Sequence, residues 1–124
     1  MDIYLPMAAN ILVSGHIKAL EYLNKKGFVT VGLLTKKALK GYKKERMPFK
    51  DRKYILETIA MALGNIEVVA QDSLDPIENI KKYKCNAIAS GDGWEKEESK
   101  VIRKLRLKVI NFKSGEKLRS RDIQ

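Results

Sequence analysis

The sequence predicts an α/β protein with a Rossmann-like fold, an open parallel five-stranded sheet with helices on both faces. Short apolar runs alternate with segments whose apolar residues recur at helical spacing, as in β-α units with right-handed crossovers. The second apolar run, Phe28–Leu34, is nearly continuous, which is typical of a central strand buried on both faces. The length of 124 residues predicts a single domain, residues 1–124.

The five predicted strands are short apolar runs bounded by polar or glycine-containing segments. They cover residues 3–5, 28–34, 66–70, 87–89 and 109–112. Runs of this length suit strands better than helices, which need ten or more residues to bury a face.

Four full helices and one short one are predicted between these strands. The first starts at Gly15-His16 and runs to about residue 26, where Gly27 ends it. A short helix or turn covers residues 36–42, and longer helices cover residues 49–63 and 96–105. Between the last two, Asp75 as cap and Pro76 as first helical residue open a helix that continues to about Tyr83.

Composition excludes several classes of protein. No apolar run approaches the roughly 20 residues needed to span a bilayer, and the N-terminus lacks the basic region of a signal peptide. The single cysteine, Cys85, cannot form an internal disulfide, and one histidine offers no zinc cluster. We therefore expect a soluble, cytoplasmic protein.

The net charge of +10 is concentrated in two stretches, residues 36–46 and 100–108. A basic surface suits a protein that binds polyphosphates, and it also attracts nucleic acid. No recognised nucleic-acid motif and no run of exposed aromatic residues accompanies the charge, so a solvated lysine-rich surface is the favoured interpretation for most of these residues. One or two phosphate contacts are expected among them, and nucleic acid is not the expected partner.

In open parallel sheets, ligands bind at the carboxyl ends of the strands, where the strand order switches. Residues 7–16, 35–52 and 90–94 are predicted at those ends. His16 follows Gly15 at a helix start, where unpaired N–H groups attract phosphate and an imidazole can add a hydrogen bond. Considered alone, a surface histidine without a role is the more common case.

Three further segments each have a functional and a structural interpretation. In residues 90–94, Asp92 offers a carboxylate to Mg²⁺ or a sugar and Trp94 a flat surface, or the segment is an ordinary glycine-rich turn. Arg52 is either a phosphate or base ligand or part of a helix start. Arg119 and Ser120 belong either to a second phosphate clamp or to a frayed tail.

Together and in this order, these segments resemble the cytidylyltransferase-like nucleotidyltransferases, including those that accompany phosphoenolpyruvate mutase. Residues 29–35 resemble the second strand of that family, residues 48–52 its motif ending in arginine, and residues 90–94 its Gly-Asp-Asp-Trp signature. Residues 114–123 are similar to its terminal segment. Residues 13–16 occupy the place of its His-x-Gly-His motif, so the resemblance covers nearly the whole chain.

The resemblance implies transfer of CMP from CTP to a small phosphate- or phosphonate-bearing acceptor, with Mg²⁺ and release of pyrophosphate, by a homodimer. It implies His16 and Lys44 as catalytic residues and Asp92 as the metal ligand. The nucleotide-binding residues that it implies are Ala8, Ala9, Asn10, Gly15, His16, Arg52, Gly91, Asp92, Trp94, Arg119 and Ser120.

Several positions depart from the family pattern. Val13 stands where the family has the first histidine of its motif, Asn10 replaces an aspartate, and Gly93 replaces the second aspartate of the tryptophan motif. Loss of one preorganised donor typically lowers a rate by about 10²–10³. The alternative function is therefore a catalytically impaired relative that binds a nucleotide and acts as a regulatory or partner subunit.

Overall fold

A computed structural model describes residues 1–10, 14–90 and 95–111, and five parallel strands form one sheet within them. The strands are β1 (Asp2–Met7), β2 (Phe28–Leu34), β3 (Ile66–Gln71), β4 (Ala87–Ser90) and β5 (Lys108–Asn111). Their order across the sheet is β3-β2-β1-β4-β5, and every pairing is parallel. The predicted Rossmann-like sheet is confirmed.

Helices cover both faces of this sheet. They are α1 (Ser14–Asn24), α2 (Lys36–Leu39), α3 (Phe49–Leu63), α4 (Ile77–Lys82) and α5 (Glu95–Leu105). Leu20 of α1 and Leu56 of α3 share one buried cluster with the strands. Ile80 of α4 and Val101 of α5 belong to a second cluster that includes Tyr4 of β1. Alternate side chains of a strand point to opposite faces, so each cluster lies on its own side of the sheet.

Several helix boundaries differ from the prediction by one to three residues, and two of the differences have a local reason. The short helix α2 ends at Leu39 instead of residue 42, because Lys40 leaves the helical conformation with ψ 124° and Gly41 follows it in a left-handed conformation with φ 83°. The predicted start of α4 is wrong by one residue: Pro76 is the N-cap instead of Asp75, because its carbonyl accepts the first helical hydrogen bond, and α4 begins at Ile77. The carboxylate of Asp75 accepts a hydrogen bond from the Ile77 N–H at 2.9 Å just before the helix.

The first strand is longer than predicted and includes Pro6. Its pairing with β2 continues through Pro6 to Met7, whereas its pairing with β4 covers Ile3 and Tyr4. Proline has no N–H to donate to a neighbouring strand. The pairing of β1 with β4 therefore ends at Tyr4, at the point where the strand order switches. In open parallel sheets this point is where a ligand crevice is expected.

Gly32 of β2 makes room for a buried polar network. The side chain of Tyr4 crosses the face of β2 at Gly32 and donates a hydrogen bond to Gln71 Oε1 at 2.6 Å. Asn79 Nδ2 donates to the Tyr4 hydroxyl at 2.9 Å and to the Ala70 carbonyl at 2.8 Å. A Cβ atom at Gly32 would overlap the Tyr4 hydroxyl, so the network requires glycine here.

Candidate functional site

The candidate functional site lies at the switch point in strand order. Two described segments meet there, residues 8–10 after β1 and residues 35–52 after β2. Of the predicted site residues, Gly91, Asp92, Trp94, Arg119 and Ser120 lie outside the described residues.

Asn10 joins the segment after β1 to the lysine-rich segment. Its side chain is 5% exposed. The Nδ2 group donates to the Lys44 carbonyl at 2.8 Å, and Oδ1 accepts from the Arg46 N–H at 3.1 Å. The predicted residues Asn10 and Lys44 therefore do lie together, with the Lys44 side chain exposed at the edge of the sheet.

Arg52 is buried and its donors are used within the protein. It is 0% exposed, and Nη1 donates to the carbonyls of Ala8 at 2.9 Å and Leu34 at 2.6 Å. Nε donates to the Met47 carbonyl at 2.8 Å, and Nη2 donates to Glu45 Oε2 at 2.6 Å. Four of the five N–H donors of a guanidinium are thus engaged. This arrangement corrects the expectation that Arg52 presents its guanidinium to a ligand, since burial leaves it no access to one.

The role of Arg52 is to hold the carboxyl edge together. Its contacts connect the exit of β1, through Ala8, to the exit of β2, through Leu34. Its ion pair with Glu45 fixes the loop that precedes α3. The pairing of Glu45 with Arg52 was not predicted from the sequence, because Glu45 lies in a loop seven residues before Arg52 and no helical or strand periodicity relates the two.

Ala8 and Ala9 contribute backbone geometry to the crevice. The Ala8 carbonyl accepts from Arg52, and Ala9 is buried with φ 51°. A left-handed conformation costs a residue with a side chain about 1–2 kcal/mol, and such strain concentrates at ligand sites. The chain thus turns sharply where it leaves the central strand.

Gly15 and His16 lie in the first turn of α1, and both are half-buried. The predicted helix is present, begins one residue earlier at Ser14, and is the next described element after β1. The first N–H groups of a helix have no partners in that helix, and their dipole favours an anion. A phosphate group is the chemical class that this end of α1 suits best.

The segment that follows β2 at the carboxyl edge of the sheet is strongly positive. Six exposed cations lie between residues 36 and 46: Lys36, Lys37, Lys40, Lys43, Lys44 and Arg46. The segment contains one carboxylate, Glu45, and Arg52 neutralises it. The edge therefore carries an excess of positive charge that suits a polyphosphate.

Thr35 connects this edge to β3. Its hydroxyl accepts from the Ala38 N–H at 3.3 Å and so caps α2, while its own N–H donates to the Gln71 carbonyl at 3.0 Å. Gln71 is also the acceptor for Tyr4, so the buried network reaches the start of α2. These contacts were not predicted from the sequence, although a threonine directly after a strand is itself a helix-start signal.

Neither a metal-binding cluster nor a membrane-spanning helix is found in the described part of the chain. Within residues 1–10, 14–90 and 95–111, no group of three or more His, Cys, Asp or Glu side chains could hold a metal ion. The helices described there are all too short or too polar to cross a membrane.

Comparison by sequence finds no matching family profile and no matching curated protein. A solved protein of unknown function from Archaeoglobus fulgidus has a similar structure, with a TM-score of 0.76, 15% identity, and coverage of 91% of this chain and 90% of that one. A universal stress protein solved in complex with cAMP gives a TM-score of 0.54 at 10% identity, with coverage of 90% and 95%. At these identities the likeness shows the fold alone.

Proposed function

We propose that the protein is a nucleotidyltransferase that transfers CMP from CTP to a small phosphate- or phosphonate-bearing acceptor. The observation that carries this proposal is the Asn10 bridge, which joins the exit of β1 to the Lys44 segment at the switch point. The start of α1, with Gly15 and His16, follows the same exit. A helix start and a basic segment on one crevice are what a triphosphate requires.

The reaction demands positioning and charge stabilisation more than covalent help from the protein. An acceptor oxygen attacks the α-phosphorus of CTP, the bond to the β-phosphate bridging oxygen breaks, and pyrophosphate leaves with the electron pair. His16 and Lys44 donate hydrogen bonds to the phosphate oxygens on which negative charge develops. Ala8–Asn10 shape the backbone that borders the nucleotide.

Mg²⁺ accompanies CTP in this proposal. Magnesium is usually held by one or two carboxylates together with substrate phosphates. Asp92 is the proposed carboxylate, Gly91 and Trp94 border the nucleotide beside it, and Arg119 with Ser120 forms the second phosphate clamp. These five assignments rest on the sequence resemblance. A homodimer in the cytoplasm completes the proposal, and sedimentation of the purified chain tests the dimer.

Pyrophosphate release tests the reaction. We expect release with CTP, Mg²⁺ and a panel of phosphorylated and phosphonate acceptors, and a loss of about 10²–10³ in rate for His16→Ala. Lys44→Gln is expected to slow release, whereas Lys18→Gln on the outer surface of α1 serves as the charge-matched control. Release by no acceptor, or equal release by wild type and His16→Ala, would refute the proposal.

A second candidate is a nucleotide-binding protein without turnover. Asn10 and Arg52 favour it, because their polar groups already serve contacts within the protein. The universal stress protein with this fold was solved with a nucleotide, cAMP. Calorimetry and thermal shift with CTP, ATP, GTP and UTP distinguish the two, since a ligand that binds the folded state raises its Tm. Binding without pyrophosphate release supports this candidate, and absence of binding refutes both.

A further inference from the structure

Two helix-to-strand turns in this chain share one sequence pattern. Residues 80–88 read Ile-Lys-Lys-Tyr-Lys-Cys-Asn-Ala-Ile, and residues 102–110 read Ile-Arg-Lys-Leu-Arg-Leu-Lys-Val-Ile. Each stretch has isoleucine at both ends and cations at its second, third and fifth positions. We call residues 81–86 and 103–108 the twin turns.

The twin turns also share one backbone geometry. Lys84 and Arg106 both have φ 54°. The next N–H in each turn reaches back to an isoleucine carbonyl, from Cys85 to Ile80 at 3.0 Å and from Leu107 to Ile102 at 3.3 Å. This six-to-one hydrogen bond behind a left-handed residue is the Schellman motif, so α4 and α5 end in the same way.

Glycine is the usual residue at the left-handed position of this motif. A residue with a side chain costs about 1–2 kcal/mol there, and the chain accepts this cost twice, each time for a long cation. Lys84 and Arg106 are exposed, and neither side chain forms an ion pair within the part of the chain that is described. Their placement therefore does not serve internal packing.

The two turns lie side by side at the amino edge of the sheet. β4 and β5 are adjacent, with Ala87 opposite Lys108, and adjacent strands are about 5 Å apart. The Lys108 N–H donates directly to the Asn86 carbonyl at 3.2 Å. Seven exposed cations lie on the pair: Lys81, Lys82, Lys84, Arg103, Lys104, Arg106 and Lys108. Neither turn contains an acidic residue.

We propose that the twin turns form an interaction surface for the phosphate backbone of a nucleic acid strand. Cations on two neighbouring turns can contact successive phosphates, which fixes a strand without reading its bases. The proposed CTP site lies at the carboxyl ends of the strands, whereas the twin turns lie at the amino ends of β4 and β5. The nucleic acid and CTP would therefore bind at opposite edges of the sheet.

The chemistry of the twin turns favours a nucleic acid over a lipid surface. Interfacial binding to lipid requires exposed apolar side chains beside the cations. Of the exposed large hydrophobic residues in the described ranges, Val109 alone borders the twin turns, next to Lys108, and one valine provides too little apolar surface to insert into lipid. The aromatic ring of Tyr83 is half-buried, and Lys82 Nζ lies 5.5 Å from its centroid.

A pair of charge-matched double variants tests the surface. Lys84→Gln with Arg106→Gln removes two charges from the twin turns, and Lys18→Gln with Lys50→Gln removes two from α1 and α3 on the other face. The probe is a labelled single-stranded RNA of about 20 nucleotides, followed by fluorescence anisotropy over a salt series. Each phosphate contact contributes about 0.7 to the log–log salt slope. For the twin-turn variant, we expect the log–log salt slope of RNA binding to fall in magnitude by about 1.4, and the affinity near 0.1 M salt to fall about tenfold or more. The control variant should change the slope and the affinity far less.

A glycine variant separates binding from folding. Lys84→Gly with Arg106→Gly removes the same charges and relieves the left-handed strain, so Tm should stay unchanged or rise while RNA binding falls as in the glutamine variant. Excess CTP should not displace the RNA, because the crevice lies at the opposite edge.

Four results would overturn the proposal. They are no RNA binding at low salt, equal weakening by the two charge-matched variants, displacement of RNA by CTP, and binding to phosphatidylserine vesicles in place of RNA. Since RNA binding is measured without CTP turnover, its failure is distinct from failure of the proposed nucleotidyltransferase activity.

Discussion

The Nη2 atom of Arg52 lies 2.6 Å from Glu45 Oε2, with the two side chains 0% and 16% exposed. The buried positive charge of Arg52 is tolerated because the carboxylate of Glu45 and three backbone carbonyls accept its hydrogen bonds. The pair belongs to the wall of the candidate site, so its loss would affect both stability and ligand binding.

Removal of Glu45 should be costly, because it leaves the guanidinium of Arg52 buried with its charge unpaired. We expect Glu45→Ala to lower the free energy of unfolding in urea by about 3–5 kcal/mol. The matched control is the exposed pair Lys53–Glu57, with 2.8 Å between Lys53 Nζ and Glu57 Oε2, where Glu57→Ala should cost about 1 kcal/mol or less. Equal costs at the two pairs would contradict the buried role of Glu45.

Replacement of the Asn10 side-chain amide by a carboxylate should lower the free energy of unfolding. In Asn10→Asp the carboxylate replaces the Nδ2 donor and faces the Lys44 carbonyl, so we expect a loss of about 1–3 kcal/mol in unfolding free energy. Asn86→Asp is the control, because its Oδ1 accepts a hydrogen bond from the Asp2 N–H and an aspartate can do the same. Denaturation at pH 7 compares the two. A loss at Asn86 as large as that at Asn10 would argue against the bridge.

Helices and strands that are defined by local sequence patterns were predicted correctly from the sequence. The bounds of α3 are those predicted, Phe49–Leu63, since Pro48 precedes a helical apolar spacing and Gly64 follows it. The left-handed turn at Lys84 was not predicted, because the usual marker of that conformation is glycine. The Arg52 contacts were not predicted for another reason. Their acceptors are backbone carbonyls of distant segments, and every residue has such a carbonyl, so the residue types do not indicate which ones Arg52 contacts.

Gly32 should not tolerate even a methyl group. A Cβ atom there would overlap the Tyr4 hydroxyl and lie 2.5 Å from Gln71 Oε1, so we expect Gly32→Ala to destabilise the fold by about 1–3 kcal/mol or more. Tyr4→Leu removes both overlapping atoms, the hydroxyl oxygen and the ring Cζ, so the double variant Tyr4→Leu with Gly32→Ala should lose less than the sum of the two single losses. Strict additivity in a denaturant double-mutant cycle would refute the close approach.

The buried hydroxyl of Tyr4 should also make stability depend on pH in the alkaline range. Burial raises the pKa of Tyr4 well above its usual value, and the hydrogen bond from Asn79 offsets this in part. A raised pKa means that the folded state keeps a proton which the unfolded state releases above about pH 10. The contribution is therefore fully present below pH 10 and falls as pH rises, by at most about 1.4 kcal/mol per pH unit. Unfolding free energies of wild type and Tyr4→Phe between pH 8 and about 11 measure it. The wild type should lose stability more steeply than Tyr4→Phe over that range, and parallel curves would show that the hydroxyl ionises equally well in the folded chain.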